Sequence, residues 1–253
     1  MNTLSLGTVV RAAVLPSLCI LLAGCGAGTT TAPSSNSPTP TTKSDNSATK
    51  PAEKPSTPTE IEGSYAVTGT NPSGAAYKGD LEVIRHDKVY QFRWTAGKPY
   101  DGVGVLRDGV VAVSFCDGAD GTGCGVVSFV VAADGSMDGT WGMWGTNESG
   151  TEKATRTGGS GPVEGEYTLA GKNPDGSDYK GTLVVTKAGA GYNLVWNNGN
   201  TGFGIRRGEV LTVGFGGSKC SFVAYEVKPD GTLEGVWGGA GATQTGTETA
   251  RKK

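Results

Sequence analysis

The sequence predicts an all-β protein: two tandem small antiparallel up-and-down β-barrels of about eight strands each, after a signal peptide and a disordered linker. Three observations predict this fold. A segment occurs twice, since NPSGAAYKGDLEV from Asn71 returns as NPDGSDYKGTLVV from Asn173. Apolar and polar residues alternate with a period of two, which is typical of half-buried strands. The chain has 43 glycines, some in Asp-Gly pairs that favour hairpin turns.

The duplication predicts the domain limits. Repeat 1 covers 61–157, a glycine-rich joint covers 158–162, and repeat 2 covers 163–253. Each repeat contains a Gly-x-Trp motif, which ends in Trp141 in the first copy and in Trp237 in the second.

Closure of the sheet is expected because strands linked in sequence by hairpins otherwise leave two exposed edges. Each repeat is then expected to pair its own strands and to fold alone, so a fragment of residues 162–253 should be a stable monomer. Two alternatives stay open: a pair of β-sandwiches, or one joint sheet shared by both copies.

The N-terminus is predicted to be a signal peptide over residues 1–24. An apolar run from Ala12 to Ala23 follows Arg11 and is shorter than the ~20 residues of a membrane-spanning helix. The run ends in Leu22-Ala23-Gly24-Cys25, which resembles the lipobox of bacterial lipoproteins. This resemblance implies that Cys25 carries the lipid. The alternative is an ordinary signal peptide that contains a cysteine.

Residues 25–60 form the predicted linker, because Thr, Ser and Pro dominate it and it cannot bury enough apolar surface to fold. With a formal net charge of −2, the chain lacks the basic excess that nucleic acid or an anionic surface attracts. We expect a membrane partner through the N-terminal lipid and a place in the bacterial cell envelope, in the outer membrane if the cell is Gram-negative.

The sequence offers little for catalysis, and we predict a non-enzymatic protein with no cofactor and no metal. The single histidine, His86, lies in a predicted hairpin, and a nucleophile–base pair or a zinc site needs more partners than it provides. Glu152 and Glu248 recur between the copies. We expect them to form structural ion pairs with Arg107 and Arg207, and we expect Asp138 to face outward.

Cys116 and Cys124 are predicted to form a disulfide that closes a Gly/Asp loop, worth about 2.5 kcal/mol by loop entropy. A calcium loop is the alternative, but the bidentate glutamate of such loops is missing. Cys220 is left as a buried free thiol or as the partner in an intermolecular bridge.

Recurring aromatic residues form either the core or pockets in the barrel mouths. The ligand-binding candidates are Phe92, Arg93, Trp94, Trp141, Met143, Trp144, Trp196 and Trp237. Of these, Phe92, Arg93, Met143 and Trp144 belong to repeat 1 only and are the candidates for a specific surface.

The order and size of the strands resemble avidin-like or lipocalin-like barrels, and the repeat texture resembles bacterial proteins labelled fibronectin-binding. The resemblance in repeat texture implies a surface lipoprotein that binds or adheres to an extracellular protein. A lipocalin-like carrier of a small apolar ligand is the second hypothesis, and an envelope enzyme using carboxylates is the third. A hollow barrel favours the carrier, whereas filled barrels with an exposed aromatic patch favour adhesion.

Overall fold

The structure is a computed structural model that describes residues 60–95, 99–116, 121–216 and 220–253. In these ranges all regular elements are strands, sixteen in number. The same ranges contain no helix with the length and apolar character needed to cross a bilayer. The predicted signal peptide, the lipidation site Cys25 and nearly all of the linker lie outside the described residues.

Each repeat contributes eight strands, as the sequence predicts. Repeat 1 contributes β1 Gly63–Thr70, β2 Ala76–His86, β3 Val89–Trp94, β4 Tyr100–Arg107, β5 Val110–Cys116, β6 Gly125–Val131, β7 Met137–Met143 and β8 Gly150–Gly158. Repeat 2 contributes β9 Gly165–Lys172, β10 Asp178–Ala188, β11 Gly191–Trp196, β12 Thr201–Arg207, β13 Val210–Phe215, β14 Cys220–Val227, β15 Leu233–Gly239 and β16 Gly246–Lys252.

These strands form two closed antiparallel barrels of eight strands each, which confirms the predicted fold class. The first barrel has the order β1-β16-β15-β14-β5-β4-β3-β2. The second barrel has the order β10-β11-β12-β13-β6-β7-β8-β9.

The barrels do not coincide with the repeats, so the predicted limits 61–157 and 163–253 are wrong as barrel boundaries. The second barrel is continuous in sequence, from β6 to β13. The first barrel consists of β1–β5 and β14–β16, and the second barrel is therefore inserted between its two parts. The predicted joint, 158–162, falls in the connection between the paired strands β8 and β9.

Two equivalent strand pairings divide each repeat between the two barrels. In the first barrel β5 pairs with β14, with Val113 opposite Val223. In the second barrel β13 pairs with β6, with Val213 opposite Val127. Because β6 and β14 are copies of one another, each offers nearly the same edge to β5 or β13. As a result, the chain passes from one barrel to the other between β5 and β6 and again between β13 and β14.

Side chains alternate between the barrel interior and solvent, as the period of two predicts. On β11, Tyr192, Leu194 and Trp196 are buried, while Asn193 and Val195 are exposed. Each barrel has its own core of inward residues. Removing this apolar surface from water, at roughly 25 cal/mol per Å², is the main stabilising contribution to each barrel.

The two barrels also pack against each other. A third cluster lies between them and contains Val103 and Val105 from the first barrel and Val126 from the second, with Trp144 packed against it. Elsewhere in this contact, the rings of Phe203 and Phe222 lie 5.7 Å apart. The inserted barrel is therefore held by an apolar contact as well as by its two connections.

Candidate ligand-binding site in the second barrel

The second barrel holds a cavity of about 550 Å³, within the size range of small-molecule sites. Its lower part is lined by inward side chains of the strands, among them Trp141, Glu152 and Trp196. Its mouth lies at the barrel end that carries the β9–β10 and β11–β12 connections. Asparagines line the mouth, namely Asn173, Asn197, Asn198 and Asn200.

Glu152 is the polar centre of this cavity. Its side chain is nearly inaccessible to solvent, with 5% of the residue exposed. Trp196 Nε1 donates to Glu152 Oε1 over 3.1 Å, and Tyr179 Oη donates to Oε2 over 3.0 Å. Burial raises the pKa of Glu152, and the two donors counteract part of that effect. The site is a buried carboxyl group that is held in a fixed orientation.

Small residues on β8 make room for this arrangement. Glu152 points inward between Gly150 and Ala154, which are also buried. Trp141 lies opposite Gly150 in the β7–β8 pair, and a Cβ atom at Gly150 would overlap the indole ring. The indole can therefore lie over β8, where its Nε1 donates to Tyr179 Oη over 3.1 Å. Burial raises the pKa of Tyr179, and so does the neighbouring Glu152.

The first barrel carries the corresponding carboxylate with one more hydrogen-bond donor. Glu248 corresponds to Glu152 and accepts from Trp94 Nε1 over 2.9 Å and from Tyr77 Oη over 2.7 Å. A third donor, the hydroxyl group of Tyr225, also bonds to Oε1 of Glu248. The position of Tyr225 is occupied by Phe129 in the second barrel, which cannot donate.

Three substitutions between the copies reduce the bulk and the hydrogen bonding of the second barrel. Phe92, Tyr100 and Tyr225 of the first barrel correspond to Leu194, Asn200 and Phe129. In the first barrel these aromatic rings belong to a connected set of ring contacts, for example Phe92 with Trp94 at 5.6 Å and Phe92 with Tyr225 at 6.2 Å. Leu194 and Asn200 are smaller, and Asn200 borders the cavity.

The predicted aromatic candidates divide between the two barrels. Trp141 and Trp196 both line the cavity of the second barrel, together with Met143. Trp94 and Trp237 belong to the core of the first barrel, where Trp94 is buried and Trp237 half-buried. The structure thus brings three of the eight sequence candidates into one site.

The predicted repeat-1 surface is not formed as a patch. Phe92 is fully buried in the first barrel. Trp144 packs against the cluster between the barrels, and Met143 lines the cavity. Only Arg93 is exposed, and it pairs with Asp101 at 3.4 Å and with Glu82 at 3.7 Å. Because side chains alternate along β3, Phe92 points into the barrel core. Its replacement by Leu194 in repeat 2 is therefore a change in the core and not in a binding surface.

The expected ion pairs of the recurring glutamates are also wrong. Arg107 lies on the outside, 3.5 Å from Asp138, which is exposed as predicted. Arg207 pairs with Glu226 at 3.9 Å. Glu152 and Glu248 instead point into the barrels, because they occupy the inward phase of their strands. The pattern Gly-x-Glu-x-Ala, with small residues on the inward positions, is the sequence signal that could have placed them there.

The cysteines lie where the chain passes between the barrels. Cys116 and Cys124 form the predicted disulfide, with their Cα atoms 6.2 Å apart, and Cys220 is free and buried. Cys220 Sγ lies 3.1 Å from Cys116 Sγ and 3.2 Å from Cys124 Sγ. Burial raises the pKa of the Cys220 thiol, which disfavours the reactive thiolate.

His86 lies at the end of β2, where its Nε2 is 3.2 Å from Gln91 Oε1. This contact is remote from Glu152 in the fold, because His86 and Gln91 belong to the first barrel. The histidine and the buried carboxyl group therefore do not form one site.

Comparisons with known protein families, with curated proteins and with solved structures find no match.

Proposed function

We propose that this protein binds a small molecule inside its second barrel. The observation that carries the proposal is the cavity of about 550 Å³, which combines aromatic walls with one buried carboxyl group. Binding sites for small molecules are mostly apolar and contain a few fixed polar groups. The second barrel has this composition, with Trp141, Trp196 and Phe215 as walls and Glu152 as the polar group.

Binding inside the barrel is better supported than adhesion through an aromatic surface. In the part of the chain that the structure describes, the exposed large hydrophobic residues are Val184 and Val195, which face each other on β10 and β11. Two valines make a small patch, whereas protein-binding surfaces need contiguous apolar area. The aromatic residues that suggested a surface are turned inward or packed between the barrels.

The lipobox-like sequence completes the proposal. A lipid on Cys25 would hold the barrels at a membrane of the cell envelope. The protein would then act there as a carrier or receptor of its ligand. Nothing in this role needs a catalytic group.

Ligand titration of a variant whose cavity is filled by larger side chains tests the proposal. We would titrate the full chain with the uncharged probe naphthalenemethanol and follow tryptophan fluorescence, since Trp141 and Trp196 line the cavity. The double variant Leu194→Phe, Asn200→Tyr introduces the bulk of the first barrel and should abolish saturable binding. The control Val195→Phe changes the outward side of the same strand and should leave binding unchanged. Equal binding by the filled variant would place the probe elsewhere and refute the proposal.

A further inference from the structure

We propose that the ligand of the second barrel is a small organic cation, a protonated amine on a flat apolar body, with its N–H group donating to Glu152. This inference rests on the proposed function and specifies the chemical class of its ligand. It comes from comparing Glu152 with Glu248, two copies of one residue in two different surroundings.

Oε1 of Glu152 accepts fewer hydrogen bonds than Oε1 of Glu248. Oε1 of Glu248 accepts two hydrogen bonds, one from Trp94 and one from Tyr225. Within the described ranges, Oε1 of Glu152 accepts only from Trp196. Phe129 stands at the position of Tyr225 and carries no hydroxyl group, so Oε1 of Glu152 lacks the second donor that Oε1 of Glu248 has, while Glu152 itself lines the cavity.

The charge of Glu152 also favours a cation. The ion pairs of the described residues include none with Glu152, and the basic residue of the cavity lining, Lys180, is exposed. A buried carboxylate without a cation is costly, whereas a paired one is much less so. A ligand with an ammonium group would neutralise Glu152 and occupy its free acceptor in the same contact.

The cavity wall suits a flat cation. Trp141, Trp196 and Phe215 line the same cavity as Glu152, and the rings of Trp196 and Phe215 lie 5.8 Å apart. Aromatic faces attract cations and also pack well against flat apolar groups. The asparagines at the mouth are uncharged, and Glu152 is the acidic residue of the cavity lining.

A series of three probes with one ring system tests this inference on the full chain: naphthylmethylamine, naphthalenemethanol and naphthalenecarboxylate. The amine forms a charged pair with Glu152, which the alcohol cannot do, so its Kd should be about ten- to a hundredfold lower. The carboxylate should bind most weakly because it is repelled by Glu152. Equal affinity of amine and alcohol would refute the cation while leaving the cavity as a binding site, and no binding of any probe would refute the proposed function itself.

Two variants distinguish a specific contact with Glu152 from a general effect of the protein's charge. Phe129→Tyr supplies the missing hydroxyl group and should lower the affinity for the amine about tenfold or more, with little effect on the alcohol. Glu152→Gln should make amine and alcohol bind alike. The matched control Glu248→Gln changes the same residue type in the first barrel and should leave the preference intact. Circular dichroism verifies that each variant is folded, and an unchanged amine preference in folded Phe129→Tyr and Glu152→Gln would overturn the inference.

Discussion

Trp94 donates a hydrogen bond of 2.9 Å to Glu248, although 154 residues separate them in the chain. Trp94 lies on β3 and Glu248 on β16, so this bond joins the two parts of the first barrel. The whole second barrel lies between them in the sequence. The core of the first barrel therefore depends on both ends of the folded region, and the second barrel depends on neither.

The first prediction concerns fragments. Residues 121–216 contain all strands of the second barrel and should fold alone as a monomer with a cooperative thermal transition. Residues 162–253 contain five of its strands and three of the first barrel, so they should not form a stable monomer. Circular dichroism, thermal melts and sedimentation compare the two fragments. Failure of residues 121–216 to fold would contradict the strand order of the second barrel, whereas a cooperative monomeric 162–253 would show that β14 can replace β6 beside β13.

The same topology allows a control for the first barrel. Cys116 and Cys220 are opposite each other in the β5–β14 pair, so a short turn can replace residues 117–219. The shortened chain should keep an all-β spectrum, and its Trp94 should remain buried. Loss of structure would show that the first barrel needs its contact with the second.

The second prediction concerns pH. Burial raises the folded-state pKa of Glu152 above its ordinary value of 4.5, so the folded state holds this proton more tightly than the unfolded state. The resulting stabilisation is fully present below the unfolded-state pKa and is lost as pH rises through the folded-state pKa. Tyr179 stays neutral in that range, because its own pKa is raised by burial.

Urea unfolding of the 121–216 fragment at several pH values above 4.5 measures this effect. The free energy of unfolding should fall as pH rises, by about 1.4 kcal/mol for every pH unit that separates the unfolded-state pKa from the folded-state pKa. The variant Glu152→Gln has no titratable group at this position, so its free energy of unfolding should not show this fall with pH. If the two curves stay parallel across the range, Glu152 does not titrate as its burial requires.

The third prediction concerns the cysteines. In Cys116→Ser the disulfide is lost, and the thiols of Cys124 and Cys220, with Sγ atoms 3.2 Å apart in the wild type, should form a new one under air. Peptide mapping without reduction should find Cys116 linked to Cys124 in the wild type and Cys124 linked to Cys220 in the variant. Cys220→Ser is the control and should keep the wild-type bond. A variant with two free thiols would show that the sulfur atoms do not adopt bonding geometry.

The fourth prediction concerns the membrane. Cys25→Ser removes the predicted acceptor of the lipid and should shift the protein from the membrane fraction to the soluble fraction. Labelling with a radioactive fatty acid should disappear together with membrane association. Retention of the variant after a high-salt wash would contradict the lipoprotein prediction.

Much of the architecture follows from the sequence. The period of two on strands such as β11 places Trp196 inward and Val195 outward, and the Asp-Gly turns end the strands, because both are local properties of the chain. The disulfide of Cys116 and Cys124 also follows, since the two residues are close in sequence. The all-β fold and its closure into two barrels could be predicted on these grounds.

The tertiary structure alone decided how the copies are combined and where the site lies. A repeat offers equivalent edges, so β5 matches both β6 and β14, and the structure pairs it with β14. The site depends on the same long-range pairing: Glu152 on β8 meets Trp196 on β11, and Phe129 on β6 leaves it one donor short. Which inward side chains meet across a closed barrel depends on strand order and register, and these are set by contacts between distant parts of the chain.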